Sequence, residues 1–171
     1  MTNINTNGIV SLDDFKAPWV KIRDKWGNLT TNQQSADVDS ALANVYGVAF
    51  AGNPVTTETA KEADWLLFLL APGGVNDWEG LALIPESFWN TISGKGIYLV
   101  MVKAHSEEQL VPMKKAAEIL EVPESRIYHL ALLRRIPCFL DYREKNPRKR
   151  RRVRVDLLRN HYSLVIQIQP K

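Results

Sequence analysis

Residues 114–137, KKAAEILEV followed by PESRIYHLALLRRIP, constrain the fold of this chain more than any other stretch. An Ala-rich amphipathic segment runs into a Val-Pro turn, and a second apolar segment follows at once. Two folds accommodate this. In one, two short helices meet at a tight turn, the geometry with which many proteins read DNA. In the other, Pro112–Glu121 is a helix covering a sheet and Arg126–Leu133 (RIYHLALL) is a buried strand, because short apolar runs cannot be assigned by period alone.

Charge is divided along the chain. The formal net charge is only +3. From Arg126 onward, however, 13 Lys/Arg face only Asp141, Glu144 and Asp156, whereas residues 1–125 carry a net −7. An acidic body with a basic end implies an anionic partner for that end, and nucleic acid is the commonest. The same asymmetry also fits a basic end docked on an acidic surface of its own body or of a second subunit. Arg148, Lys149, Arg150, Arg151, Arg152 and Arg154 crowd six cations into seven residues. Nearby phosphates would relieve their repulsion and release counterions.

The segments before the basic end read as an α/β body over residues 9–105, after a disordered polar start at 1–8. Ser11 and Asp14 resemble a capping pair for a helix whose apolar stripe is Leu12, Phe15, Trp19, Ile22 and Trp26, ended by Gly27. Pro18 inside it predicts a kink or a late start. Leu29–Ser35 reads as a loop, Ala36–Val45 as a short helix and Tyr46–Ala51 as a strand closed by Gly52-Asn53-Pro54. Thr56 and Thr59 open a helix to about Ala63, and the unbroken Trp65–Leu70 (WLLFLL) reads as a strand buried on both faces. A second short helix is expected from Pro85 to Ile92, a turn at Ser93-Gly94-Lys95-Gly96 and a strand at Ile97–Val102. The expected sheet is therefore small and mixed or parallel, with covering helices. Ser106 and Gln109 form a capping-box pattern for the next helix, although Pro112 is better suited to a first turn. Val153–Leu157 and Tyr162–Ile168 read as a terminal hairpin turning at Arg159-Asn160-His161.

Catalytic chemistry finds little footing. Gly94-Lys95 has Trp89 where a phosphate loop needs glycine, and it leads into a strand rather than out of one. Asp64, Asp77 and Glu79 at strand ends are more simply solvated carboxylates than a metal site. Cys138 with His129 or His161 is more simply a small buried thiol than a nucleophile. His105, His129 and His161 share no metal-ligand spacing. No residue pattern requires an enzyme, a cofactor or a metal. One cysteine excludes an internal disulfide. The start MTNINTNG has no signal-peptide pattern, and no apolar run is long enough to span a bilayer. A cytoplasmic protein with no membrane partner is the expectation.

One resemblance bears on function. Ala116-Ala117-Glu118-Ile119-Leu120, Val122, then Ile127-Tyr128-His129-Leu130 and Ile136-Pro137 resemble the excisionase branch of the MerR-like winged helix-turn-helix family. That family carries A-A-x-x-L, a turn valine, V/I-Y-x-L and I/L-P at these spacings. Arg151-Arg152-Val153-Arg154-Val155-Asp156-Leu157 is similar to the R-R-x-R that precedes a D-L and a last helix. The resemblance covers Pro112 to Leu157. The family usually carries glycine where Glu121 stands, and often where Arg134 stands. Here the wing loop, Leu140–Lys149, is longer, and the second helix is unusually apolar at Leu132 and Leu133.

What the resemblance implies is a basic winged helix-turn-helix-like part at residues 106–171 that binds duplex DNA, in regulation, recombination or mobile-element maintenance. Ile119, Leu120, Val122, Ile127 and Leu130 would form its small core. Ser125, Arg126 and His129 would face the groove. Arg134, Arg135, Arg148, Lys149, Arg150, Arg151, Arg152 and Arg154 would meet phosphates. The alternative is a non-catalytic α/β interaction module, one continuous domain, with a basic end that docks on a protein partner or on a second copy of the chain.

Overall fold

The computed structural model describes residues 10–26, 31–70, 84–105, 109–147 and 149–159. The polar start at 1–8, the Gly27 stop, the Pro72-Gly73-Gly74 turn, Asp77 and Glu79, the Ser106 end of the capping pattern, Arg148 and the expected strand at 162–168 lie outside them.

Helices and a small sheet are both present, but the sheet is not where the apolar runs placed it. Among the described residues, the body consists of helices α1 (Leu12–Trp26), α2 (Asn32–Phe50) and α3 (Thr57–Leu70), a 3-10 turn at Phe88–Asn90, and α4 (Ile92–Ala104). The expected strands at Tyr46–Ala51, Trp65–Leu70 and Ile97–Val102 fall within or at the end of α2, α3 and α4. A parallel sheet over 9–105 is therefore replaced by packed helices. The local reason is period. Val38, Ala41, Leu42 and Val45 of α2, and Ala63, Leu66, Leu67 and Leu70 of α3, are all buried, each set at the helical spacing i, i+3, i+4, i+7.

The capping chemistry is local. The Ser11 hydroxyl accepts the Asp14 N–H at 3.1 Å and donates to its carboxylate at 2.7 Å. α1 starts upstream of Pro18 and continues through it, so the late start is not seen. Residues 32–35, expected in a loop, are the first turn of α2. Thr31 and Gln34 close a reciprocal capping box there at 3.2 and 3.0 Å. Thr56 and Thr59 pair at the start of α3.

Residues 93–96 are helical rather than a turn, and packing explains their small side chains. A Cβ on Gly94 would lie 2.2 Å from the Phe88 carbonyl oxygen, and one on Gly96 would lie 2.4 Å from the Phe15 ring. Ser93, 1% exposed, donates to the Phe15 carbonyl at 2.7 Å. Small residues let α4 lie directly against α1 and the 3-10 turn. The rings of Phe15, Tyr46 and Phe50 pack edge-on or tilted around this contact, 5.6 to 6.1 Å apart.

The remainder carries a second core. Strand β1 (Leu110–Pro112) leads into α5 (Met113–Leu120). The residues Glu121, Val122 and Pro123 turn the chain into α6 (Glu124–Leu132), and β2 (Phe139–Leu140) and β3 (Arg151–Arg154) follow. The helix begins after Pro112, directly from β1. Residues 126–133 are not a buried strand: α6 covers 124–132 and is half exposed. The sheet is antiparallel in the order β1-β3-β2, with Val111 opposite Val153 and Phe139 opposite Arg152. Residues 155–159 are helical, so the strand expected to run to Leu157 stops at Arg154.

Val111, Ala116, Ala117, Ile127, Ile136, Val153, Val155 and Leu158 form this second core. Ile127 is fully buried within it, while Ile119, Leu120, Val122 and Leu130 pack at its margin. Phe139 and Leu140 instead join the core of the body, where the Phe139 ring lies 5.2 Å from that of Trp89.

Candidate nucleic-acid interface

The α5–turn–α6 pair is set by how each helix ends. At the end of α5 the Val122 N–H bonds the Ala117 carbonyl at 3.0 Å and the Glu121 N–H bonds that of Glu118 at 3.4 Å. At the end of α6 the Arg135 N–H bonds the Leu130 carbonyl at 2.8 Å and the Arg134 N–H bonds that of Ala131 at 3.1 Å. Both are Schellman closures, which need one left-handed residue. Those residues are Glu121 (φ 54°) and Arg134 (φ 53°), the two non-glycine residues of positive φ among the described residues. They are the same two positions at which the winged helix-turn-helix pattern carries glycine.

α6 divides cleanly. Ile127, Leu130 and Ala131 face inward, and Ser125, Arg126, Tyr128, His129, Leu132 and Leu133 are exposed. Both leucines, Leu132 and Leu133, face out, at 65% and 53% exposure. Arg134, Arg135 and Lys149 are exposed as well.

The arginines of β3 are used inside the protein. Arg151 grips Glu86 of the body at 2.8 and 3.1 Å, donates to the Tyr128 hydroxyl at 3.2 Å and stacks on its ring at 5.7 Å. Arg152 reaches Asp141 at 3.4 Å. Arg154, its side chain 12% exposed, bonds Asp64 of α3 at 3.0 Å and Asp156 at 2.8 and 3.2 Å. Burial opposes the Arg154 charge, but the Asp156 and Asp64 carboxylates outweigh it and raise its pKa. Arg151, Arg152 and Arg154, expected at phosphates, are each engaged by carboxylates of the protein itself. Arg150 is half-buried, and Arg148 lies outside the described residues.

No family model matches the chain, and neither the curated proteins nor the solved structures searched yield a match.

The long loop between β2 and β3 is organised by Asp141, a residue the sequence did not single out. It is 4% exposed. It accepts from the Arg143 side chain at 3.0 and 3.3 Å and from the Arg143 N–H at 3.1 Å. Burial works against its ionisation, yet these donors and the Tyr98 hydroxyl hold its carboxyl below the usual range. Across the loop base the Asp141 N–H bonds the Arg150 carbonyl at 2.8 Å.

Other chemistry is poorly placed. Burial pushes the Cys138 thiol up to about 12, which keeps it protonated and unreactive near neutral pH. Asp64 is committed to Arg154. Among the described residues no cluster of His, Cys, Asp or Glu suits a metal ion, and no helix is long and apolar enough to cross a membrane.

Proposed function

We propose that this protein binds duplex DNA, with α6 entering the major groove and the β2–β3 wing holding the backbone. A role in regulation, recombination or mobile-element maintenance would follow. The supporting observation is the pair of left-handed helix ends at Glu121 and Arg134. They fall where the family pattern usually or often carries glycine, and the chain turns from β3 into helix at 155, next to the Asp156-Leu157 pair that resembles the start of that pattern's last helix.

The ion pairs of β3 change which cations meet phosphate. Arg134, Arg135, Lys149 and Arg150 are assigned to the backbone, and Ser125, Arg126 and His129, exposed on α6, to base edges. Fluorescence anisotropy of a labelled random duplex across a salt series tests this. A log–log slope of roughly −3 to −4 is expected, below the roughly −5 of six free cations. Arg134→Ala with Lys149→Ala should flatten it, and Arg126→Ala should change sequence preference by about 1–3 kcal/mol. Absence of binding at low salt overturns the assignment.

A protein-interaction role has its own support. Leu132 and Leu133 are exposed, and Leu132 lines a cleft of about 220 Å³ with Ile84, Ala131, Cys138 and Leu140, rimmed by Glu86, Arg134 and Arg151. If that face serves a protein, Leu132→Glu changes the oligomeric state in light scattering and leaves duplex affinity unaltered.

A further inference from the structure

The base of the wing gathers more positive charge than its own acid can hold. Asp141 takes its donors from Arg143 and Arg152, and the Tyr98 hydroxyl stands against it. A carboxylate offers about four lone-pair directions, and these donors occupy them. Two more cations converge at the same place. Lys95 reaches over from α4 of the body with its ammonium 5.5 Å from the centre of the Tyr142 ring. Arg150 closes the loop base by accepting the Asp141 N–H, and its Nε is covered without an acceptor among the described residues.

Neither Lys95 nor Arg150 makes an ion pair among the described residues. Burial and the Arg150 charge both lower the Lys95 pKa, so each cation destabilises the other. A covered Arg donor without an acceptor costs free energy until an oxygen reaches it. Arg143 and Arg152 share the Asp141 carboxylate, and Lys95 and Arg150 beside them have no carboxylate partner among the described residues. That surplus suits an anion of more than one charge with oxygens on several sides. A phosphate meets the description, and a carboxylate does not.

We propose that Lys95 and Arg150 form a binding site for a phosphate oxyanion, built jointly by the helical body and the wing. The ligand oxygens would sit between the ammonium and the guanidinium and relieve their repulsion, and a small rotation of Arg150 would bring its Nε–H onto one of them. The site is independent of the α6 face. It holds if duplex does not bind, provided that a small phosphate does.

The test uses the full chain and follows the arginine Nε–H resonances by 15N NMR. Inorganic phosphate is titrated against chloride at matched ionic strength, and then in the presence of an unlabelled duplex. A saturable shift of Arg150 in phosphate is expected. Lys95→Gln should weaken it by about tenfold, the loss of one charge-assisted hydrogen bond, and Lys95→Arg should restore most of it. Lys95→Gln should also leave the melting temperature unchanged or raise it, because it removes a like-charge contact; a structural lysine would lower it.

Competition by the duplex identifies the nucleic-acid backbone as the source of phosphate. Saturable binding without competition identifies a small phosphate-bearing ligand. Equal shifts in phosphate and chloride, or undiminished phosphate binding by both Lys95→Gln and Arg150→Gln, overturn the site.

Discussion

The body and the C-terminal part solve the same problem with different means. The body closes its core almost wholly with apolar helix faces, and α4 needs Gly94 and Gly96 to approach its neighbours. The C-terminal part has a smaller apolar cluster, and it adds carboxylate–arginine contacts at Asp141, Asp156, Asp64 and Glu86. The first means tolerates salt and pH but not added volume. The second responds to charge. If the C-terminal part binds DNA as proposed, its cations can be held in reserve against internal acids.

The sharpest way to break this contrast is volume in the body. Gly94→Ala puts a methyl group 2.2 Å from a backbone oxygen that has no rotamer to escape into. A loss of about 3 kcal/mol is expected by urea denaturation. A loss below about 0.5 kcal/mol would show that α4 is not fixed against the 3-10 turn.

The matching change in the C-terminal part is Asp141→Asn, which keeps volume and removes charge. The side chain of Asp141 is 6% exposed, but that of Arg143 is 48% exposed, so solvent screens part of the effect. About 2 kcal/mol is expected. Because the folded carboxyl titrates below its ordinary value, its contribution is complete above the unfolded pKa of about 4 and is lost as pH falls through the lower folded value. Wild-type stability should therefore drop on acidification from about pH 4 downward, and Asp141→Asn should flatten that drop. An identical acid profile in the two proteins would sink the assignment.

A smaller effect, of opposite sign, is expected at Glu121. A left-handed backbone costs an L-residue about 1 kcal/mol, so Glu121→Gly should stabilise by up to about that amount, with Glu118→Gly in the last turn of α5 destabilising by up to a similar amount. Destabilisation by Glu121→Gly would mean that the α5 end is not left-handed in solution.

How far the sequence revealed this structure differs between the two regions. The α1 stripe with Ser11 could be read directly, because it is a local pattern, whereas residues 114–137 left two helices and a helix followed by a strand both open, and the structure has two helices there. The body sheet was misread because Tyr46–Ala51, Trp65–Leu70 and Ile97–Val102 are apolar on short windows. The helical spacing of Val38 to Val45 and of Ala63 to Leu70 emerges only when those windows are lengthened. Ser93-Gly94-Lys95-Gly96 looked like a turn because small residues serve close packing as well as bends. The capping box of Thr31 and Gln34 is a T-x-x-Q pattern inside a polar stretch that otherwise reads as a loop. The partners of Arg151 and Arg154 carried no local signal, since Glu86 and Asp64 lie 65 and 90 residues away.

Those distant pairs supply the finest test of the contrast. Glu86→Gln removes the body's hold on Arg151 without changing shape. The carboxylate is 62% exposed on its side chain, so the stability change should be no more than about 0.5 kcal/mol. The consequence for a polyanion is larger than that figure suggests. Arg151 would keep its Tyr128 contacts yet carry an unopposed charge beside α6. If the C-terminal part binds DNA, Glu86→Gln should raise duplex affinity at low salt and steepen the salt slope by about one unit, the signature of one more phosphate neutralised. An unchanged slope would mean that Arg151 faces away from the bound duplex. The body's acids would then serve folding alone, and the wing would owe its phosphate contacts to Lys149 and Arg150.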